Sequence, residues 1–285
     1  MRDLKLMIKH TFKESYKTML ILNGILFVSM LGIAIFALVA NESFLSTPIG
    51  AFFMVMGIIL IVVLLYAAMG GMVYTVYKTM NQKLFTDEGY LTLTLPVSVD
   101  SIIISKVLVN LIWIIIFSIT AFLGIFAIIE LIAMKNLNEF LSIGMMLKEL
   151  LGNINVLENI KFVEILGAIF NLLMMLIISI VSLLLFFNIL AFVNTGKLKK
   201  GRSAIAIIVY IFGGELLIMI LAFITQFGAI GIAYDASKAK YVLSFGYLTN
   251  TPYLINFTSL IVYGGTMVGL YFLARFMLKK KIELI

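Results

Sequence analysis

The chain has no cysteine, one histidine and little charge: Asp, Glu, Lys and Arg together make up 12% of its 285 residues. Without cysteine there are no disulfides and no thiolate metal sites, and the redox compartment stays open. With His10 as the one imidazole, histidine-rich metal sites are excluded and a histidine-based catalytic centre has almost nothing to be built from. The scarcity of charge has the largest consequence. Soluble domains carry about 25% charged residues. A chain that is 63% apolar, with a mean hydropathy of +1.16, has too little polar surface to cover itself in water. Its solvent is expected to be lipid. The phosphate loop GxxxxGK[ST], the zinc motif HExxH and the nucleophile elbow GxSxG are also missing. No nucleotide-binding domain, ATP hydrolysis, cofactor or metal is therefore expected in this chain, and it is not read as an enzyme.

What is present is a set of six apolar runs, each long enough to cross a hydrocarbon core that takes about 20 helical residues. They are Met19–Ala40, Ile49–Tyr77, Ile102–Ala133, Ile165–Val193, Ala204–Ala233 and Ile255–Leu278. Bulky apolar residues lie on all sides of these runs, which suits helices and not the in–out alternation of barrel strands. The expected fold is an all-α membrane protein, one transmembrane domain over residues 1–285. The first run is too long for the apolar core of a signal peptide and reads as a retained helix.

Sixteen of the 21 Lys and Arg fall on one set of flanks. These are Arg2, Lys5, Lys9, Lys13 and Lys17; Lys78, Lys83 and Lys106; Lys197, Lys199, Lys200 and Arg202; and Arg275 with Lys279, Lys280 and Lys281. The other flanks hold Lys135, Lys148, Lys161, Lys238 and Lys240. Positive charge stays on the cytoplasmic side, so both termini are expected inside a cell membrane. The net charge of +7 is then an orientation signal with an attraction to anionic lipid, and not a nucleic-acid footprint.

Between the runs, Leu4, Met7, Ile8, Phe12 and Tyr16 recur near helical spacing among lysines, which predicts a cytoplasmic amphipathic helix in the headgroup layer; a basic flank without fixed structure is the plainer alternative. Small residues at Ala67, Ala68, Gly70 and Gly71, and the pair Gly265 and Gly269, offer close approach to a second helix. The long connection 134–164 carries Leu137, Phe140, Leu141, Leu147, Leu151 and Ile154 at three- to four-residue spacing, predicting an amphipathic external segment. The connection 234–252 is also too long for a bare turn. Gly201-Arg202-Ser203, beside a lysine cluster, is explained by positive-inside flanking.

The most patterned stretch lies between the second and third runs, KTMNQKLFTDEGYLTLTLPVSVDSIIISK from Lys78 to Lys106. An acidic pair, Asp87 and Glu88, precedes Gly89 and Tyr90; leucines 91, 93 and 95 alternate with threonines; Pro96 ends the run; and Ser98 or Asp100 can cap the next helix. Phe85 through DEGYLTLTLPVS to Ser105-Lys106 resembles the first cytoplasmic loop of ABC-2-type exporter permeases of low-GC Gram-positive bacteria. Those proteins share the basic N-terminal amphipathic helix, six spans and a lysine-rich tail ending in Glu-Leu, here Lys279 to Leu284. The long outer connection between runs three and four departs from relatives that place their main external elements between spans five and six. The resemblance implies a permease subunit that pairs with a second permease subunit, alike or different. A separate ATP-binding cassette subunit would hold ATP and Mg. The loop would be its coupling element, with Phe85, Asp87, Glu88, Gly89, Tyr90, Leu91 and Pro96 at the contact. A solvated turn and a short alternating segment packed under the bundle are the plainer readings of the same residues.

Glu215 is the one acidic residue deep within a run, with Met219, Ala222 and Gln226 near the same helical face; Asn171, Ser179 and Ser182 share an arc in the fourth run. These are candidate pathway residues, and a protonated structural pin is the plainer reading of Glu215. The function expected is export, or extraction from the membrane, of a peptide or lipid-like amphiphile, antimicrobial-peptide resistance being one form. The competing expectations are an ion- or proton-coupled secondary transporter using Glu215 and a non-transporting membrane sensor or assembly protein.

Overall fold

A computed structural model describes residues 2–39, 47–82, 84, 97–137, 162–195, 202–235, 240–245 and 253–282. The helices are α1 (Arg2–Val39), α2 (Pro48–Tyr77), α3 (Val99–Leu137), α4 (Phe162–Thr195), α5 (Arg202–Val209), α6 (Glu215–Phe227) and α7 (Phe257–Ile282). Single π-helical turns extend α2 over Lys78–Gln82 and join α5 to α6 over Tyr210–Gly214. Counting α5, its π turn and α6 as one, six helices among the described residues are long and apolar enough to cross a membrane, the build of a multi-pass membrane protein. Large apolar side chains such as Ile21, Tyr66, Phe122, Phe212 and Ile261 stand more than half exposed. That is far beyond the isolated patches a soluble monomer shows.

The chain forms two compact units, whose boundaries fall inside α1, α3 and the π turn after α2. The unit of residues 8–79 and 112–158 is built from α1, α2 and α3. Buried positions along α1 recur as Thr11, Ser15, Met19, Asn23, Leu26 and Met30, a stripe at three- and four-residue spacing. Leu26 and Met30 pack with Ala68 of α2 and with Phe117 and Ala121 of α3. Of the small residues on α2, Gly71 faces the Leu22 side chain while Gly70 looks into open space, so the expected close approach uses one face of that patch. Gly124 of α3 faces Met30 in the same way. Trp113 donates from Nε1 to Ser15 Oγ at 2.9 Å and stacks on Phe12 with ring centroids 5.1 Å apart. Thr47 caps α2, its Oγ1 accepting from Gly50 N at 3.0 Å, and Pro48 takes the first turn, where no N–H partner is lost.

The unit of residues 1–7, 80–111 and 159–285 is centred on α4 and α7. Met174, Val181 and Tyr263 form a buried cluster with Ile177, Leu221 and Leu270 around it. Asn188 of α4 donates from Nδ2 to Leu270 O of α7 at 2.9 Å, a bond from side chain to backbone across the helix pair. Between α6 and α7 lies a three-stranded antiparallel sheet, order β2-β1-β3, of β1 (Ile230–Asp235), β2 (Lys240–Phe245) and β3 (Tyr253–Asn256). Ile230 pairs with Phe245, and Gly231 with Ser244 and Asn256. A Cβ at Gly231 would run into the Ile255 carbonyl, so only glycine lets β3 come this close. Asn256 and Thr258 tie the end of the fifth span to the start of the sixth. Asn256 Nδ2 donates to Thr225 O at 3.0 Å, and Thr258 Oγ1 donates to Gly228 O at 2.8 Å while accepting from Ile230 N at 3.0 Å.

Three expectations are corrected. The all-α reading fails at this sheet. The fifth span stops at Phe227, and residues 228–233, read as its end, are a turn and the first strand: Gly228 closes the helix and the β-branched and aromatic residues that follow favour an extended chain. The N-terminal amphipathic helix is not a separate element, because α1 runs unbroken from Arg2 through the first span. Its buried stripe contains the small polar residues Thr11 and Ser15, while Phe12 is 38% exposed and Leu6 58% exposed. Small side chains allow the close packing that bulk apolar ones would block. A Cβ added at Gly265 or Gly269 would meet nothing within 4 Å, so the pair is not a close-approach point between helices among the described residues.

Candidate functional site

The coupling residues Phe85, Asp87, Glu88, Gly89, Tyr90, Leu91 and Pro96 lie outside the described residues, as does most of the external segment 134–164. The stems that hold the loop are described. On the entering side, Met80 and Leu84 are fully buried, and Asn81 Oδ1 accepts from Asn194 Nδ2 of α4 at 2.8 Å. On the leaving side Ser98 is the cap of α3, its Oγ accepting from Ser101 N at 3.2 Å. Asp100 is thereby released from capping. It accepts a hydrogen bond from Tyr271 Oη at 2.7 Å and forms an ion pair with Arg275 Nε at 3.1 Å, in which the N–H is not aimed at the oxygen. A carboxylate in the first turn of α3 also suits the positive end of the helix dipole.

Lys106, counted above among the flanking cations, is 2% exposed and sits on the buried face of α3 with Ser105 and Asn110. Sequence reading missed the polar contacts at the loop stems for one reason. The partners, Asp100 with Tyr271 and Arg275, or Asn81 with Asn194, are more than a hundred residues apart, and the only local signal was the i,i+4 spacing of Tyr271 and Arg275.

The pathway candidates divide. Ser182 Oγ and Tyr210 Oη share a hydrogen bond at 2.5 Å, joining α4 to the π turn that precedes Glu215, and the Tyr210 ring lies 4.5 Å from that of Phe186. Ser179 bonds back to Met175 O on its own helix at 2.8 Å. Asn171 is exposed. Glu215, Met219 and Gln226 are all exposed on α6, as predicted for one face, and Phe212, Leu216 and Phe223 stand exposed around them. Nothing in the described chain covers that face, although a charge near the bilayer centre costs at least ~2.5–3.5 kcal/mol on insertion scales.

Among the described residues no group of three or more His, Cys, Asp or Glu is placed to hold a metal ion. No family model, no curated protein and no solved structure matches this chain.

Proposed function

We propose that the chain is the membrane subunit of an ATP-driven exporter of the ABC-2 type, moving or extracting a peptide or lipid-like amphiphile. The observation that carries this reading is the patterned loop between α2 and α3, whose residues resemble a coupling element and whose stems are both anchored. A loop that passes force from an ATPase to the helices needs a stiff base. Met80, Leu84 and the Asn81–Asn194 bond supply one on one side, and the Ser98 cap with Asp100–Arg275 supplies it on the other. Tyr90 and Leu91 are apolar anchors for the partner's groove, and Asp87 and Glu88 are partners for its basic residues. The ATPase subunit brings ATP and Mg. The sheet between α6 and α7 lies where relatives of this type carry their main external elements. The bare face around Glu215 suits a second permease subunit or a pathway between subunits, since lipid is a poor cover for a carboxylate. The protein would sit in the cell membrane with both termini inside.

The test is co-purification with a separate ATP-binding subunit and ATP turnover that requires it. Glu88→Ala combined with Tyr90→Ala weakens that association and leaves membrane insertion intact; full assembly and transport in the double variant would remove the coupling assignment. A second reading draws on Glu215, exposed one residue after a π turn, a feature frequent at functional sites. If an ion or proton gradient alone drives transport, and Glu215→Gln abolishes it, the secondary-transporter reading replaces this one.

A further inference from the structure

Within the α4–α7 unit, α3, α4 and α7 enclose a groove of about 470 Å³, in the range of small-ligand sites. Its walls are apolar: Ile103 and Val107 from α3, Ile180 and Leu184 from α4, Met267 and Val268 from α7. Tyr271 and Phe272 line it as well. The Tyr271 hydroxyl does not point to an empty slot but is bonded to Asp100. Beyond Tyr271, α7 changes character. Arg275 follows one turn later on the same face and Lys279, exposed, a turn after that. Along the face of α7 that lines the groove, two cations thus follow Tyr271 against one carboxylate, Asp100, among the described residues. A dry slot that ends in excess positive charge has the profile of an amphiphile with an anionic head.

We propose that this groove is a binding site for one anionic phospholipid, an acyl chain lying along Val107, Leu184 and Val268 and the phosphate meeting Arg275 and Lys279. Apolar walls without a hydrogen-bonding group select a hydrocarbon chain over a peptide or sugar. The cations select the head group, because each Lys or Arg near an anionic lipid surface contributes a factor of about fivefold to binding. The ion pair with Asp100 holds Arg275 on the groove side of α7 before lipid arrives. The inference is independent of the transport reading, since binding is measured on the chain alone.

The experiment counts lipid retained by the purified full chain in native mass spectrometry, with phosphatidylglycerol or phosphatidylcholine of identical acyl chains as probes. One phosphatidylglycerol is retained in clear preference to phosphatidylcholine. Lys279→Gln lowers phosphatidylglycerol retention about fivefold and leaves phosphatidylcholine unchanged. Val268→Trp, at a position 49% exposed, fills the slot and lowers both. Arg275→Gln is set aside for this purpose because it also strips Asp100 of its ion partner; Lys279 carries the head-group test. The proposal is overturned if the two lipids are retained equally, if Val268→Trp changes nothing, or if inorganic phosphate displaces the lipid as well as a second phospholipid does. It is equally overturned if the species observed is a lipid-free dimer that Val268→Trp splits, for then a second copy covers the groove.

Discussion

Helices α2 and α4 are equally apolar over their most hydrophobic stretches, yet 7% of that stretch is buried inside the protein for α2 and 56% for α4. Hydropathy alone therefore assigns both to the membrane and says nothing about which one meets protein. The difference lies in the polar residues. On α4, Ser182, Asn188 and Asn194 sit along the helix and each reaches another element: Tyr210, the Leu270 carbonyl and Asn81. On α2 and its π turn the polar residues crowd at one end, where Thr75 and Thr79 bond back to Gly71 O and Val76 O of the same helix and Asn81 at the tip accepts from Asn194. In lipid no hydrophobic force draws one apolar helix to another, so packing and cross-helix hydrogen bonds decide which faces meet.

The largest expected effect contrasts a phenylalanine from each helix. Phe187 of α4 is fully buried, whereas Phe53 of α2 is 53% exposed. In a soluble protein Phe→Ala costs about 3–5 kcal/mol, a transfer part plus a cavity part. A membrane helix that separates from its neighbours stays in hydrocarbon, so most of the transfer part drops out. Phe187→Ala should then lose about 2 kcal/mol, the remaining cavity part, and Phe53→Ala should stay within about 0.5 kcal/mol of the parent. Unfolding by titration with a denaturing detergent measures both. Equal losses would mean that α2 is as well packed as α4, against the burial difference.

The second effect tests α2 against itself. Gly71→Val presses on the Leu22 side chain, while Gly70→Val meets open space. Because the tip of Leu22 can turn aside, Gly71→Val should cost about 1 kcal/mol, the low end for overpacking. Gly70→Val should be neutral or slightly stabilising, since glycine is the poorer helix former. The same detergent titration reads both; a reversed order would place the contact face of α2 on the other side.

How much of this was legible beforehand follows from the range of each signal. The spans were, because an apolar run of 20 residues is a local property. The sheet was not: Ile230, Ile232 and Ala233 continue the apolar run of α6, and their extended backbone is set by pairing with Val242, Leu243, Tyr253 and Ile255, residues across two connections. Ser98 was foreseen as one of two caps for α3, but the freed Asp100 had its partner 171 residues away. Glu215, Met219 and Gln226 do share a face, as helical spacing requires, but which face of a helix meets protein depends on neighbours that spacing does not encode.

The smallest effect concerns the bond that joins α4 to the fifth span. Tyr210 opens a π turn in which Gly214 faces both Leu185 and the Tyr210 ring, so the turn is packed against α4 along one side. Tyr210→Phe removes only the hydroxyl bonded to Ser182 and keeps the ring against Phe186. Two terms then act on stability. Loss of a cross-helix hydrogen bond in membrane proteins averages about 0.6 kcal/mol. Against it, Ser182 is not stranded, because a helix serine can turn its Oγ–H to the carbonyl four residues back, as Ser179 does to Met175. The net cost should fall at or below about 0.6 kcal/mol, and Ser182→Ala should match it. A double-mutant cycle of the two separates the pair from its surroundings, with a coupling energy near the single losses. Coupling close to zero would mean that ring packing alone joins α5 to α4. Coupling several times larger would mean that the hydroxyl pair sets the π turn itself, and through it the angle at which Glu215 leaves the helix.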